Sequence, residues 1–349
     1  MKRFSKSFFI VGCSISFLAA CPFLSVCAQA EVDVLPEHKE QILTFVELNC
    51  ENLFDTRHDT LKNDADFLPD GRYRWTPYRY WKKLNAIGKE IIGCGDTAGG
   101  WTMPDLVALV EVENDSVLFD LTRRSLLRSA RYEYVMTNSP DERGVDVALL
   151  YSPFSFSLLS SSSLRVEPPR GLRPTRDILY ASGLTIGGDT LHVFVVHAPS
   201  RAQGEGPTRR YRMRVAERIG EAVDSIRAVD GEARIIVAGD FNDYTKNPPL
   251  RYLVERGLRS VSDGAQGTNG ARGTYRYRGD WSSLDHILVS SPMDEILIDC
   301  QIYDAPYLLT PDEQYGGSKP ARTFLGPRYL GGTSDHLPLV ARFRIGIRR

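Results

Sequence analysis

The chain is predicted to be an α+β domain in which two β-sheets pack face to face and helices cover the outside. Short apolar runs of strand character outnumber the amphipathic helical segments. Helical segments still return between those runs, and two packed sheets covered by helices fit this better than one parallel sheet. The 349 residues contain no repeat and no splitting linker, so one large core is available.

The N-terminus reads as a leader. Lys2, Arg3 and Lys6 form a basic start, residues 8–27 are uncharged, and Ala28-Gln29-Ala30 is a small-x-small cleavage site before Glu31-Val32-Asp33. This predicts a secretory signal peptide over residues 1–30 and a mature domain over 31–349, with its core at about 43–345. The product would be periplasmic or secreted. A membrane anchor is the first alternative, since roughly 20 apolar residues can span a bilayer. A lipoprotein anchored at Cys21 is the second, from Leu18-Ala19-Ala20-Cys21. The cleavage site weighs against the anchor, and apolar Pro22-Phe23-Leu24 weighs against the lipoprotein. Residues 1–30 hold three basic and no acidic residues, so 40 Lys and Arg then face 44 Asp and Glu, a net charge near −4. That excludes a strongly basic nucleic-acid clamp. Cys50, Cys94 and Cys300 lie beyond the leader, at no zinc-like spacing, and would permit one disulfide with one free thiol.

The elements follow in order. Thr44 to Leu48 is a short apolar strand. Tyr80, Leu84, Ile87 and Ile91 recur at helical spacing, and Gly93 and Gly95 stop that helix. Leu106 to Val112 is a nearly continuous apolar strand, and Val117 to Leu127 is again helical. Val145 to Tyr151 and Phe154 to Leu159 read as a hairpin around Ser152-Pro153, and Ser160 to Ser163 and Pro168-Pro169-Arg170 as loops. Leu191 to Val196 is a strand. Arg209 to Ile226 is a long helix with Tyr211, Val215, Ile219 and Val223 on one face. Arg234 to Ala238, Leu284 to Val289 and Leu337 to Phe343 complete the strands.

Polar residues recur at the ends of these apolar runs. Asn49 follows Phe45-Val46-Glu47-Leu48, Glu111 follows Val107-Ala108-Leu109-Val110, His197 follows Val193-Phe194-Val195-Val196, and Asp240 follows Ile235-Ile236-Val237-Ala238. One such residue is usually a turn. Four, together with Ser334-Asp335-His336, point to a preorganised site on a sheet edge. Gly239-Asp240-Phe241-Asn242 and Ser334-Asp335-His336 each place an acid beside a group able to hydrogen-bond a phosphoryl oxygen, which suggests metal-assisted phosphoester hydrolysis.

The ordered set Asn49, Glu111, His197, Gly239-Asp240-Phe241-Asn242, Asp285 and Ser334-Asp335-His336 resembles the endonuclease–exonuclease–phosphatase superfamily, over about residues 43–345. Asn52-Leu53-Phe54-Asp55-Thr56 and Val110-Glu111-Val112-Glu113-Asn114 resemble its bacterial exported branch. The resemblance implies a four-layer α/β/β/α sandwich of two mixed sheets. It also implies a divalent ion held by Glu111, Asn49 and Asp335, with Glu51 as a possible further ligand. Oxygen donors of this kind suit Mg²⁺, with Mn²⁺ or Ca²⁺ as alternatives, and not zinc. Asp240 would orient the attacking water and Asn242 would donate to the developing charge. His197 and His336 would flank the phosphate as acid–base or charge-stabilising groups. By the same resemblance Asp285 pairs with His336 and Asp146 with His197. An Asp inside an apolar strand is costly unless paired, which supports both.

Other polar residues rank lower. Strand alternation turns His192 and His286 away from the site. His38 and His58 lie in a terminal segment and a loop. The Asp59, Asp64, Asp66 and Asp70 group lacks EF-hand spacing and reads as a solvated loop. Just before Asp285, Arg272, Arg276 and Arg278 interleave with Tyr275, Tyr277 and Trp281, a composition that can hold a phosphate backbone and stack on bases. Arg201, four residues after His197, is placed to touch a phosphate. The expected substrate contacts are therefore Arg201, Tyr277 and Trp281.

The resulting expectation is an exported, divalent-metal-dependent phosphodiesterase acting on nucleic acid. Phospholipid head groups or small phosphoesters are the alternative substrates. A non-catalytic binding module is a second alternative, disfavoured because every core position carries the expected residue type. No protein partner is evident.

Overall fold

The computed structural model describes residues 40–97, 100–201 and 205–346. The predicted leader over 1–30, the alternative anchor Cys21 and His38 lie outside these residues. Two six-stranded sheets form the centre. In chain order their strands are β1 (Glu40–Leu53), β2 (Leu106–Val112), β3 (Glu133–Met136), β4 (Asp146–Tyr151), β5 (Phe156–Leu164), β6 (Ile178–Thr185), β7 (Thr190–His197), β8 (Arg234–Asp240), β9 (Arg259–Ser260), β10 (Asp285–Val289), β11 (Leu297–Ile302) and β12 (Leu339–Gly346). The first sheet runs β11-β12-β1-β2-β4-β3 and the second β9-β10-β8-β7-β6-β5. Both are mixed: β1–β2 and β7–β8 pair in parallel among antiparallel neighbours.

Strand alternation sorts the apolar residues into layers. Leu43 and Phe45 of β1 face the second sheet and join Val193, Ile236 and Ile287 in the inter-sheet core. Val46 and Leu48 face outward, where α1 (Pro77–Gly93) covers them with Leu84, Ile87 and Ile91. On the far side Phe194, Val196, Ile235 and Val237 pack against Tyr211, Val215, Ile219 and Val223 of α2 (Glu205–Val229) and Leu250 and Leu253 of α3 (Pro248–Glu255). Burial on both faces explains why the central strands read as continuous apolar runs. Truncating Ile87 to Ala, in the sealed layer under α1, should cost about 2–5 kcal/mol.

Three local expectations fail. The β4–β5 hairpin does not form. β4 pairs with β2 and β3, β5 pairs with β6, and Ser152-Pro153 carries the chain from one sheet to the other. Ser160 to Ser163 belong to edge strand β5 and not to a loop, because pairing with β6 satisfies their backbone while their side chains stay exposed. The single helix over Val117 to Leu127 breaks into an α turn (Asp115–Phe119), a wider turn (Asp120–Arg124) and a 3₁₀ turn (Leu126–Ala130). There Ser125 donates from its amide to the Asp120 carbonyl and accepts from the Leu127 amide, ending one turn and capping the next. Cys50, Cys94 and Cys300 are all free thiols. None of the described helices is long and apolar enough to cross a membrane.

Candidate active site

Register builds one half of the site. Parallel pairing of β7 and β8 sets His197 beside Asp240, and antiparallel pairing of β8 and β10 sets Asp240 beside Asp285. The three form a row along the edge of the second sheet. Gly239, just before Asp240, has φ +144°, and a Cβ there would lie 1.9 Å from the Val196 carbonyl oxygen, so only glycine fits. The first sheet supplies the other half. Asn49 is the last regular partner of Val110, and Glu111 falls where the β2–β4 register shifts. Ser334-Asp335-His336 arrive on the loop before β12. Four of the seven non-glycine residues with positive φ among the described residues are Glu51, Asn52, Glu111 and Asn242. Backbone strain of this kind collects where a site is held in place.

Hydrogen bonds join the halves. Asn49 Nδ2 donates to Asp240 Oδ2 at 3.1 Å, and the Asn242 amide donates to Asp240 Oδ1 at 2.7 Å. Asn242 Nδ2 spends one hydrogen on the Ala198 carbonyl at 3.1 Å and keeps a second for a ligand. Ser334 Oγ donates to the Asn49 carbonyl at 2.6 Å. Glu111 Oε2 accepts the Asn52 amide at 2.8 Å, leaving Oε1 facing Arg143 at 3.5 Å and His197 Nε2 at 3.6 Å. Asp335 pairs with Arg322 at 2.9 Å. All of these groups except Ser334 and Ala198 line one cleft of about 720 Å³, together with Glu51, Arg201, Tyr244, Tyr275, Tyr277 and His336.

The two histidines are held differently. His336 Nδ1 lies 2.7 Å from Asp285 Oδ2, which also accepts from Thr274 Oγ1. Burial disfavours its charged form, but Asp285, Asp335 and Asp240 together outweigh burial and raise the imidazole well above its ordinary value. His197 is pushed well below, by burial first and then by Arg176 and Arg143. The expected Asp146–His197 pair is absent. Asp146 accepts from the Ser139 amide at 3.0 Å and from the hydroxyls of Thr137 and Ser139, while His197 Nδ1 has no hydrogen-bond partner among the described residues. Asp146 is paired, as its burial requires, but with local hydroxyls.

The carboxylates crowd. Burial and then Asp285 raise Asp240 to about 7, and burial and then Asp335 raise Glu51 to about 7. Negative charge that the protein leaves uncompensated in an oxygen-donor cleft fits a divalent cation. Among the described residues, Asp240, Asp285 and His336 bring one ligand-type atom each within 4.8 Å of one another. The Asp285–His336 hydrogen bond already engages two of them, so Glu111 and Asp335, each with one oxygen outside the hydrogen bonds above, remain the more open donors. Each Glu51 oxygen already accepts a backbone N–H, from Thr323 at 2.6 Å and Phe324 at 3.3 Å.

The substrate-side expectations divide. Tyr277 lines the cleft and is 57% exposed, and the Arg201 guanidinium lies 4.3 Å from the Tyr244 ring centre. Trp281 packs against the inter-sheet core and lines an adjoining hollow that shares Tyr244 and Tyr277 with the cleft. Arg276 is not a phosphate contact. Its guanidinium is spent on the carbonyls of Gly279, Gly316 and Ser318 and lies 3.6 Å from Asp312, because it ties two small hairpins together. His286 turns away, its Nε2 meeting the Asp243 carbonyl at 2.9 Å, and His192 meets Tyr180 at 2.8 Å. Asp64 is buried and holds His58 and the Asp59 amide, so it is a loop clasp.

Sequence reasoning missed Glu47, Arg143, Arg322 and Lys83. Glu47 is fully buried between the sheets with both carboxylate oxygens unpartnered, and burial, then Asp285 and Asp240, raises it well above the carboxylate range. Its sign in the sequence is an acid two residues before Asn49, on the same strand face. Arg143, Arg322 and Lys83 gave no such sign, since each reaches the site from a loop or helix through tertiary packing.

A sequence profile of the Endonuclease/Exonuclease/phosphatase family matches residues 44–344. No curated protein sequence matches. An endonuclease/exonuclease/phosphatase family protein from Bacteroides thetaiotaomicron superposes with a TM-score of 0.59 at 14% identity, covering 89% of this chain and 100% of its own. Truncated TDP2 from Caenorhabditis elegans gives 0.55 at 16%, covering 86% and 97%. A mannosyl-6-phosphatase from Bacteroides thetaiotaomicron gives 0.54 at 15%, covering 86% and 98%. At these identities the structures speak for the fold. The profile match spans most of the chain, and with it the protein belongs to the endonuclease/exonuclease/phosphatase family of metal-dependent phosphoester hydrolases.

Proposed function

We propose that the protein is a phosphodiesterase acting on nucleic acid, with Glu111, assisted by Asn49 and Asp335 and with Glu51 as a further ligand, holding a divalent ion that we assign as Mg²⁺. The observation that carries this reading is the convergence of Asn49, Glu111, His197, Asp240, Asn242, Asp335 and His336 on one cleft from both sheets. When bound, such an ion polarises the phosphoryl oxygen and stabilises the leaving oxygen. Asp240, held by Asn49 and the Asn242 amide, orients the attacking water. The free N–H of Asn242 donates to the developing charge. His336, charged on Asp285, stabilises the phosphoryl group and holds a proton at Nε2. His197, neutral, accepts or passes a proton at Nε2. Tyr277 and Arg201 meet the substrate beyond the scissile phosphate. Nucleic acid is favoured over a phospholipid by this basic-aromatic rim. A small phosphoester remains the second reading, favoured by a cleft of about 720 Å³, which suits a short ligand.

The purified protein is to be assayed against DNA, RNA, sphingomyelin and a small diester, with Mg²⁺ and with chelator. Nucleic-acid hydrolysis abolished by chelation is the expected result. Full activity in chelator removes the mechanism, and turnover of the small diester alone moves the assignment to the second reading.

We further propose export through the signal peptide at 1–30, from its basic start, apolar stretch and cleavage site. Intact-mass measurement should find Glu31 at the mature terminus, and a lipid-modified Cys21 would overturn this.

A further inference from the structure

We propose that Phe67, Tyr73 and Phe324 form a preorganised subsite for a planar ring carried on the phosphate, a nucleobase or another aryl group. The proposal rests on the phosphoesterase reading of the cleft. These three aromatic residues line the same cleft as Asn49, Glu111, Asp240 and His336. Their rings are contiguous: Phe67 and Tyr73 have centres 4.7 Å apart, and Tyr73 and Phe324 4.8 Å apart. A second layer backs them. Phe54 stacks on Phe67 at 4.3 Å and 14°, while Trp75 and Tyr329 sit 5.7 and 5.5 Å from Phe324. Trp75 is itself fully buried and pinned by its Nε1 donating to the Phe54 carbonyl at 2.8 Å. Phe67 and Tyr73 are half-buried and Phe324 is 8% exposed, so this second layer holds in place the limited ring surface that meets the cleft.

The segment carrying Phe324 is tied to the reacting centre. The Thr323 and Phe324 amides donate to the two oxygens of Glu51. Beneath them the buried Lys83 ammonium, reaching from α1, donates to the Glu51 carbonyl and to Thr323 Oγ1 at 2.7 Å. Arg322, one residue earlier, pairs with Asp335 at 2.9 Å. One short strap thus presents a cation toward the phosphate position and a ring beside it. A fixed spacing between charge and ring is what recognises a phosphate bearing a planar substituent, and a ligand with a small alkyl group would gain nothing from the wall. Stacking on such rings tolerates any base because each has a π-face.

The test uses non-hydrolysable ligands and the full chain in Mg²⁺. Dissociation constants for methylphosphonate, phenylphosphonate and a thymidine 5′-phosphonate are to be measured by calorimetry. Methylphosphonate reports the phosphate site alone. At least one ring-bearing ligand should bind about ten-fold or more tightly than methylphosphonate, and which one does identifies the ring as aryl or base. Phe324→Leu and Tyr73→Leu, each checked for an intact melting transition, should bring that ratio toward one. Equal affinity for all three ligands overturns the subsite while leaving the phosphoesterase reading in place. A preference that survives both substitutions also overturns it and makes the wall structural. Failure of methylphosphonate itself to bind removes the phosphoesterase reading and the subsite together.

Discussion

His336 stands on a carboxylate: its Nδ1 is 2.7 Å from Asp285, and Thr274 fixes that carboxylate from behind. His197 faces the same cleft with no acceptor on Nδ1 among the described residues, and burial, then Arg176 and Arg143, oppose its protonation even though Glu111 lies 3.6 Å from its Nε2. The first arrangement favours an imidazolium and the second a neutral ring, although both residues sit among the same acids. Two histidines that look interchangeable in the sequence are thus given different protonation by what lies behind them. In a phosphoester site this separates a standing positive charge from a group free to take a proton, which is how one pocket keeps acid and base roles apart.

The comparison breaks first at its centre. Asp240→Asn and His336→Ala should each lower kcat about 10²-fold or more, the scale of positioned acid–base groups. Asp285→Asn should approach the His336→Ala loss, because His336 then loses the carboxylate that charges it. A near-wild-type, folded Asp285→Asn enzyme would show that the charge on His336 does no chemistry.

The second test opposes the two aspartates. His197→Ala should also cost roughly 10²-fold. Asp146→Asn should change kcat less than about three-fold, since its partners are Thr137 and Ser139. Loss of hydrogen bonds to a buried carboxylate should instead lower stability by about 1–3 kcal/mol, read from chemical denaturation. If Asp146→Asn falls in rate as far as His197→Ala, the two act as a pair after all, and the asymmetry of the site is lost.

What the sequence made legible follows from this. The strand-end residues were readable because the apolar pattern of a strand is local: His197 and Asp240 each close an apolar run and Asp285 opens one, and pairing then aligns them. The two sheets were readable for the same reason, from the continuous runs at Leu106 to Val112 and Arg234 to Ala238. What was not readable depends on long-range choice. Nothing near Asp146 says that it will meet Ser139 and not His197. Nothing around Ser152-Pro153 says that β4 and β5 will part into different sheets. Arg276 has the composition of a phosphate contact and the packing of a tie, and only the fold at Gly316 and Ser318 distinguishes them.

Arginine placement sharpens the contrast more gently. If nucleic acid is the substrate, Arg201→Ala should weaken binding and reduce the slope of log K against log salt by about one. Arg276→Ala should leave that slope unchanged and lower the melting temperature. Equal flattening by both would return Arg276 to the substrate surface.

The smallest expected effect compares two buried acids with no partner. Glu47 lies between the sheets under Asp240 and Asp285, whereas Glu90 lies on α1 in the outer layer, where the charge of Lys83 opposes the effect of burial. Both Glu90 oxygens are unpartnered, and burial raises its carboxyl well above the ordinary value. A carboxyl raised in the native state stabilises the fold fully below its unfolded value, about 4.3, and loses that contribution as pH climbs toward the native value. In that window the unfolded chain holds fewer protons than the folded one, so stability falls with pH. Glu90→Met removes the titrating group and keeps its length. It should flatten the decline of stability between about pH 5 and 8 and add on the order of 1 kcal/mol at pH 8, with kcat unaltered, because an unsatisfied buried polar group costs about that much. Glu47 sits where the same change should also lower kcat, since its neutral carboxyl stands among the acids that set Asp240 and His336. A Glu90→Met protein less stable at pH 8 than at pH 5 by the wild-type margin would mean that Glu90 is not the group titrating. A Glu47→Met enzyme with full activity would make both acids equally remote from the chemistry.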